Sequence, residues 1–308
     1  MDTRKEIDGR AGGLMVLLCA TWGLQQVAIK AAAPDIAPIL QVAIRSGIAA
    51  LLVGLVMLAR GERLTITGGL WRPGLVVGTL FALEYLFVGE GLRFTNASRM
   101  AIFLYTAPIF AALGLHWKLP TERLKPLQWG GILLAFLGII VTFAGKSGAA
   151  DSHAANRWIG DLLGLAAGMS LGATTVAIRF SRLSNASATV TLQYQLIGAF
   201  VILLVSAFAL GQTQVRFTAI SLGSLAFQSI IVSFLSFIVW FALLRVYLAS
   251  RLGVLSFMTP LFGIGFGVWL LHEPLEFSFA IGSAMVLAGI LMVSGHKWLR
   301  QSRKPVSA

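Results

Sequence analysis

The chain has 308 residues, 57% of them hydrophobic and only 12% charged, and its mean hydropathy is +0.84. A soluble domain carries roughly 25% charged residues, so a water-soluble globule is excluded and the apolar excess points to lipid. The formal charge of +12 requires no nucleic acid partner, because basic residues flanking membrane spans meet anionic headgroups.

Apolar segments fall at 12–33, 36–59, 73–92, 96–115, 126–145, 159–180, 187–210, 219–244, 251–271 and 277–297. About 20 residues at 1.5 Å rise cross a ~30 Å hydrocarbon core, and only helices or closed barrels cross without orphaning backbone groups. The runs are continuous rather than alternating, which predicts an all-α polytopic membrane protein of ten transmembrane helices. The first segment is long for a signal-peptide core and lacks a small-x-small cleavage site, so it reads as an uncleaved helix. Cys19, the single cysteine, forms no internal disulfide. Leucines precede it where a lipoprotein site wants small residues, so a packing role is expected. Connections are short and carry turn residues such as Pro34, Gly61, Pro120, Gly211 and Pro274. The longest, 146–158, reads as a linker between 1–145 and 159–300, and 301–308 as a disordered tail.

Basic residues set the orientation. With the N-terminus cytoplasmic, that side holds seventeen of the 24 lysines and arginines against six outside. Both termini are therefore expected in the cytoplasm and the chain in the cell (inner) membrane. Trp71, Trp117, Trp129, Trp158 and Trp298 fall at span ends, as an interfacial belt does. Trp22, Trp240 and Trp269 fall within spans.

The sequence also repeats. Ala97-Ser98-Arg99 precedes Pro108 as Ala249-Ser250-Arg251 precedes Pro260, at an offset of 152 shared by Leu40-Gln41 with Leu192-Gln193. Val27-Ala28-Ile29-Lys30 matches Val176-Ala177-Ile178-Arg179, and Gly131 and Gly138 match Gly282 and Gly289, at nearly the same spacing. Five spans per half is an odd number, so the second half is predicted to be inverted. Inverted repeats build alternating-access transporters with one site near the midplane.

Ten spans, two five-helix repeats, the doubled Ala-Ser-Arg motif, Glu122 and Glu273 after the fourth and ninth spans, and glycine-rich fifth and tenth spans resemble the drug/metabolite transporter superfamily, specifically its EamA-domain proteins. The resemblance covers nearly the whole chain, and the overall sequence is similar to YddG-type exporters of aromatic amino acids. It implies a basket of eight helices around a central cavity, with the fifth and tenth helices outside it.

Arg45 and Glu84 lie inside the second and third spans, both ~12–15 Å from the outer surface at 1.5 Å per residue. A lone charge at that depth costs at least ~2.5–3.5 kcal/mol and calls for a partner. Glu84 reads as a proton or substrate-amine site, or as half of a structural ion pair that makes Arg45 a structural charge. Glu90, level with Lys30, reads as structural. Phe81, Glu84, Tyr85 and Val88 share one helix face, as do Ser233, Ser236, Phe237 and Trp240. Thr21, Trp22, Gln25, Gln26, Ser170 and Thr174 place polar groups within the first and sixth spans, where they either bond between helices or line a cavity. Tyr105 and Phe257 each lie three residues before a proline, Pro108 or Pro260, that permits a kink and a gating role. The substrate-binding candidates are thus Trp22, Gln25, Phe81, Glu84, Tyr85, Tyr105, Ser236, Trp240 and Phe257.

No cofactor is expected. The four histidines lack metal-ligand spacing, and Gly145-Lys146-Ser147 lacks the first glycine of a phosphate loop. The expected function is a secondary exporter of small amphipathic metabolites, aromatic and other neutral amino acids foremost, acting by alternating access. An exporter of drugs or another metabolite class, a membrane-embedded enzyme and a passive channel are the alternatives. The expected partners are the bilayer and an amino acid substrate; the oligomeric state is open, a monomer included.

Overall fold

The computed structural model describes residues 8–62, 69–118, 124–144, 156–247, 252 and 255–301. Ala249-Ser250-Arg251, Glu122, linker residues 146–155 and tail residues 302–308 lie outside them. Among the described residues the chain is helical, with a single isolated bridge between Ile36 and Val215.

The helices are α1 (Gly9–Ala32), α2 (Pro38–Ala59), α3 (Trp71–Gly91), α4 (Ala97–Leu104), α5 (Ala107–Lys118), α6 (Pro126–Ala144), α7 (Arg157–Phe180), α8 (Ala188–Ala209), α9 (Ala219–Ala226), α10 (Ser236–Val246), α11 (Met258–Leu271) and α12 (Phe277–Gln301). A π-helix, Phe227–Leu235, joins α9 to α10. Seven helical stretches are long and apolar enough to cross a membrane, with α4–α5 taken as one and the stretch from α9 to Trp240 as another. Shorter apolar helices cover Pro126–Thr142, Met258–Leu271 and Phe277–Val293.

Local chemistry sets the helix ends. The Asp8 carboxylate accepts from the Ala11 amide at 2.8 Å, and Thr218 and Ser221 form a capping box at α9. After α2 and α8 the chain turns through Gly61 (φ 68°) and Gly211 (φ 66°). In both turns the next amide returns to the helix, Glu62 N to Met57 O and Gln212 N to Ala207 O, a closure built on the left-handed conformation that glycine adopts without a Cβ penalty.

The two proline-containing spans break at matched places. Helix is interrupted at Tyr105–Thr106 before Pro108 and at Ser256–Phe257 before Pro260. Proline donates no amide hydrogen and its ring crowds the carbonyl four residues back, so each break falls where the ladder is weakest.

Packing repeats as well. A Cβ on Gly23 would lie 2.9 Å from Thr259 O and 2.8 Å from Gly263 N; one on Gly172 would lie 2.8 Å from Ala107 O and 3.0 Å from Ala111 N. Each glycine lets α1 meet α11, or α7 meet α5, backbone to backbone. α6 and α12 pack chiefly on each other. Gly131 faces Gly289 O and Gly138 faces Gly282 O, so the two helices run antiparallel. Outside, Leu51, Leu55, Leu58, Leu133, Ile140, Val205 and Phe208 are exposed, as lipid-facing side chains are. Trp71, Trp117, Trp129 and Trp158 are exposed at helix ends. Trp269 is 69% exposed and faces outward rather than into the bundle.

Candidate functional site

One face of α3 supplies Phe81, Glu84 and Tyr85, all buried. Phe81 and Tyr85 sit edge to face, with centroids 4.9 Å apart. The Arg45 guanidinium, from α2, lies 4.3 Å from the Tyr85 ring centroid, and the Tyr85 hydroxyl is beside the Gln25 side chain of α1. Tyr105, at the α4–α5 break, faces Thr259 at the start of α11. Arg45, Glu84, Tyr85, Gln25 and Tyr105 thus converge from four elements.

Arg45 is 2% exposed and Glu84 3%. No ion pair closes between them among the described residues. Arg45 Nε and Nη1 and Glu84 Oε2 are buried without a hydrogen-bond partner, although Arg45 is near enough for its charge to act on Glu84. Among the described residues Arg45 is therefore stacked on a tyrosine beside a carboxylate with one unpartnered oxygen, and both readings of Glu84 stay open.

One turn from Gln25 on α1, Trp22 packs edge to face on Trp240 with centroids 5.6 Å apart, and its Nε1–H donates to Ser236 Oγ at 2.9 Å. Trp240 also lines a cleft of about 320 Å³ with Phe237, Ile178, Thr191, Leu192 and Gln195. The cleft opens at the end of the bundle that carries the Arg182–Asn185 turn. Trp240 thus links the cleft to Trp22, and one turn further along α1 Gln25 meets the Tyr85 hydroxyl.

Phe257 stands apart: it packs with Ile102, Phe103 and Ile109 in an apolar cluster under α6 and α12. Thr21 and Thr174 bond back to carbonyls of their own helices, Leu17 and Ser170, a local bond that spares them an interhelical partner.

The opposite end is closed by polar contacts whose pairing the sequence did not reveal. Asp161, 1% exposed on α7, accepts from Thr95 Oγ1 at 2.7 Å and from Arg99 Nε at 3.0 Å, and also binds Arg99 Nη2. The Glu273 carboxylate accepts from the amides of Ala97 and Ser98 at 2.7 and 2.9 Å, capping α4. Thr218 donates to Asp35, and Arg216 N donates to Asp35 O at 2.9 Å. Glu90 binds Arg93 and Gln212, while Lys30 turns to the carbonyls of Leu92 and Thr95. The π-helix was also missed. It buries Gln228, Ser229, Val232 and Ser233 on one side, and such segments gather at functional positions.

Apolar exteriors, backbone-close crossings and a polar group buried mid-bundle define a polytopic membrane protein. The model of the EamA-like transporter family matches residues 10–144 and again 158–295, and the chain belongs to that family. It is 25% identical to the uncharacterized transporter YoaV of Bacillus subtilis, over 88% of this chain and 92% of that one. It is 26% identical to a probable amino-acid metabolite efflux pump of Salmonella typhimurium, over 95% and 97% of the two chains. A solved crystal structure covering 95% of this chain and 97% of its own aligns with a TM-score of 0.65 at 20% identity, and shares the fold.

Proposed function

We propose that this protein is a secondary transporter exporting small amphipathic metabolites, aromatic and other neutral amino acids foremost, across the cell (inner) membrane by alternating access. The observation that carries the reading is a pair of edge-to-face aromatic contacts on either side of Gln25: Trp22 with Trp240, which lines the cleft, and Phe81 with Tyr85, whose hydroxyl meets Gln25 beside the buried polar group. Edge-to-face contact favours flat apolar side chains by about 0.5–1.5 kcal/mol per pair beyond area burial. The relative in Salmonella typhimurium named as an amino-acid metabolite efflux pump supports the substrate class. The family's named transporters favour transport over membrane-embedded catalysis.

The architecture in this reading is ten spans in two inverted repeats: seven long helical stretches plus three shorter apolar helices. Three observations support it: the family model matches twice, the Gly23 and Gly172 crossings use equivalent backbone atoms, and Gly131 and Gly138 meet the partners of their own repeat in crossed, antiparallel order. The excess of lysine and arginine on one side supports an orientation with both termini and the cleft in the cytoplasm. In a Cys19→Ala background, Gln214→Cys should label from outside with an impermeant thiol reagent and Asn185→Cys only after membrane disruption. The reverse overturns the orientation.

The functional test is uptake of a labelled amino acid panel into proteoliposomes, with and without a pH gradient. Phenylalanine, tryptophan, methionine and leucine should exceed glutamate and lysine. Equal handling of lysine and phenylalanine overturns the amino acid reading, and transport of flat aromatic drugs alone redirects it to another metabolite class.

A further inference from the structure

We infer that Arg45 and Glu84 form a clamp for the two charged groups of a zwitterion, Arg45 holding the carboxylate and Glu84 the ammonium of an α-amino acid; this rests on the transporter reading above. The notion of Arg45 as a structural charge gives way to a binding role because of what the fold leaves undone. An arginine and a carboxylate at this depth are costly in lipid unless paired. The simplest relief is a direct ion pair, and none is made among the described residues. Instead Arg45 leans on the Tyr85 ring, 4.3 Å from its centroid, with Nε and Nη1 donating to nothing, and Glu84 Oε2 accepts from nothing.

The chemistry that satisfies both is specific. A guanidinium presents a planar set of donors suited to the two oxygens of a carboxylate. A carboxylate with a free oxygen accepts from an ammonium. One positive and one negative group side by side are neutral together, so they favour a ligand that is itself neutral overall and carries both charges. A ligand with only one of them leaves an ion in the site buried and uncompensated. The surroundings fit the rest of such a molecule. Gln25 and the Tyr85 hydroxyl add polar capacity beside the clamp, the edge-to-face Phe81–Tyr85 pair sets aromatic rings against it, and Trp22 lies one turn from Gln25 on α1. The clamp therefore reads the backbone of the amino acid, while the aromatic rings read its side chain.

The test uses purified full-length protein in proteoliposomes and measures competition against labelled phenylalanine by three probes: phenylalanine, 3-phenylpropionate, which lacks the amine, and phenethylamine, which lacks the carboxylate. Truncating one partner of a buried charged pair costs at least about 2 kcal/mol, so each analogue should compete roughly 30-fold or more less well than phenylalanine. Glu84→Gln should bring phenylalanine down towards 3-phenylpropionate while phenethylamine stays poor, and Arg45→Gln should do the converse. Should either variant fail to reach the membrane, the wild-type probe series decides alone. Equal competition by all three probes in the wild type overturns the clamp and leaves amino acid transport standing. So does a Glu84→Gln protein that loses only its pH-gradient dependence and keeps the wild-type ranking of probes. Absence of any neutral amino acid transport overturns the transport reading, and the clamp with it.

Discussion

The two ends of the helix bundle are held in different ways. At one end, side chains far apart in sequence bond to one another: Asp161 with Thr95 and Arg99, Glu273 with the start of α4, Asp35 with Thr218, and Glu90 with Gln212. All of these contacts join the first half of the chain to the second. At the other end the polar contacts sit on the rim, Glu62 with Ser187 and Thr189 and Tyr247 with Asp8, and a cleft lies inward of them, down to Trp240. Polar contacts cross the halves at both ends, so what distinguishes the ends is depth: those of Asp161 and Glu273 are buried, and those of Glu62 and Tyr247 are only partly so. In the proposed cycle the joined end is the outer gate, closed here, and release to the outside requires those contacts between halves to part. Breaking them one at a time measures how much each holds.

The largest effect is expected at Asp161. Replacing it with asparagine strands Arg99, which is 5% exposed, without its carboxylate. Removing one partner of a buried ion pair costs about 3–5 kcal/mol. Asp161→Asn should therefore lower the membrane level and the melting temperature in detergent. The double variant Asp161→Leu with Arg99→Met should regain much of the loss, because no charge is then left buried alone. Wild-type stability of Asp161→Asn would remove this pair from the closure.

Glu273 should matter less, since Glu273→Gln keeps one accepting oxygen for the α4 amides and leaves no ion buried alone, although it loses the charge and the second acceptor. Hydrogen bonds to charged groups contribute about 1.5–3 kcal/mol. The expected outcome is a folded protein whose closed end opens more often. Ile36, fully buried in the bridge to Val215, is the reporter. An Ile36→Cys probe in the Cys19→Ala background should react faster with an impermeant thiol reagent when Glu273→Gln is added. An unchanged rate would mean that the α4 cap is structural and not part of the closure.

Helical periodicity exposed much of this in the sequence, but only within single elements. The i, i+3, i+4, i+7 spacing of Phe81, Glu84, Tyr85 and Val88 placed those residues on one face, and the structure buries all four. The same spacing for Ser233, Ser236, Phe237 and Trp240 crosses the end of a π-helix, and no pattern in the residues announced the change of pitch. Ser236 and Trp240 nonetheless meet Trp22. Contacts between halves were hidden because they depend on elements more than 60 residues apart, as with Arg99 and Asp161. Both residues were visible as charges near span ends, and the need of each for a partner was the signal available. Tyr105 and Phe257 show the limit of the repeat itself. They match in sequence, yet Tyr105 faces the polar Thr259 and Phe257 packs among apolar side chains, since the neighbours that surround a position are not copied with it.

The smallest effect is expected where the open end meets the buried polar group. Trp240 lines the cleft and packs on Trp22, and Ser236 fixes the Trp22 ring by accepting its indole N–H. Ser236→Ala leaves the edge-to-face pair in place but strands that N–H. A neutral hydrogen bond of this kind contributes about 0.5–1.5 kcal/mol, which corresponds to a change of roughly two- to tenfold. The protein should fold and insert normally, and phenylalanine should compete two- to tenfold less well, with the ranking of amino acids preserved. Trp240→Ala, which removes the ring contact as well, should weaken competition by aromatic amino acids more than by leucine, because stacking is lost selectively. If Ser236→Ala and Trp240→Ala both leave phenylalanine competition unchanged, the tryptophan pair is packing alone, and ligand recognition begins deeper, at Tyr85.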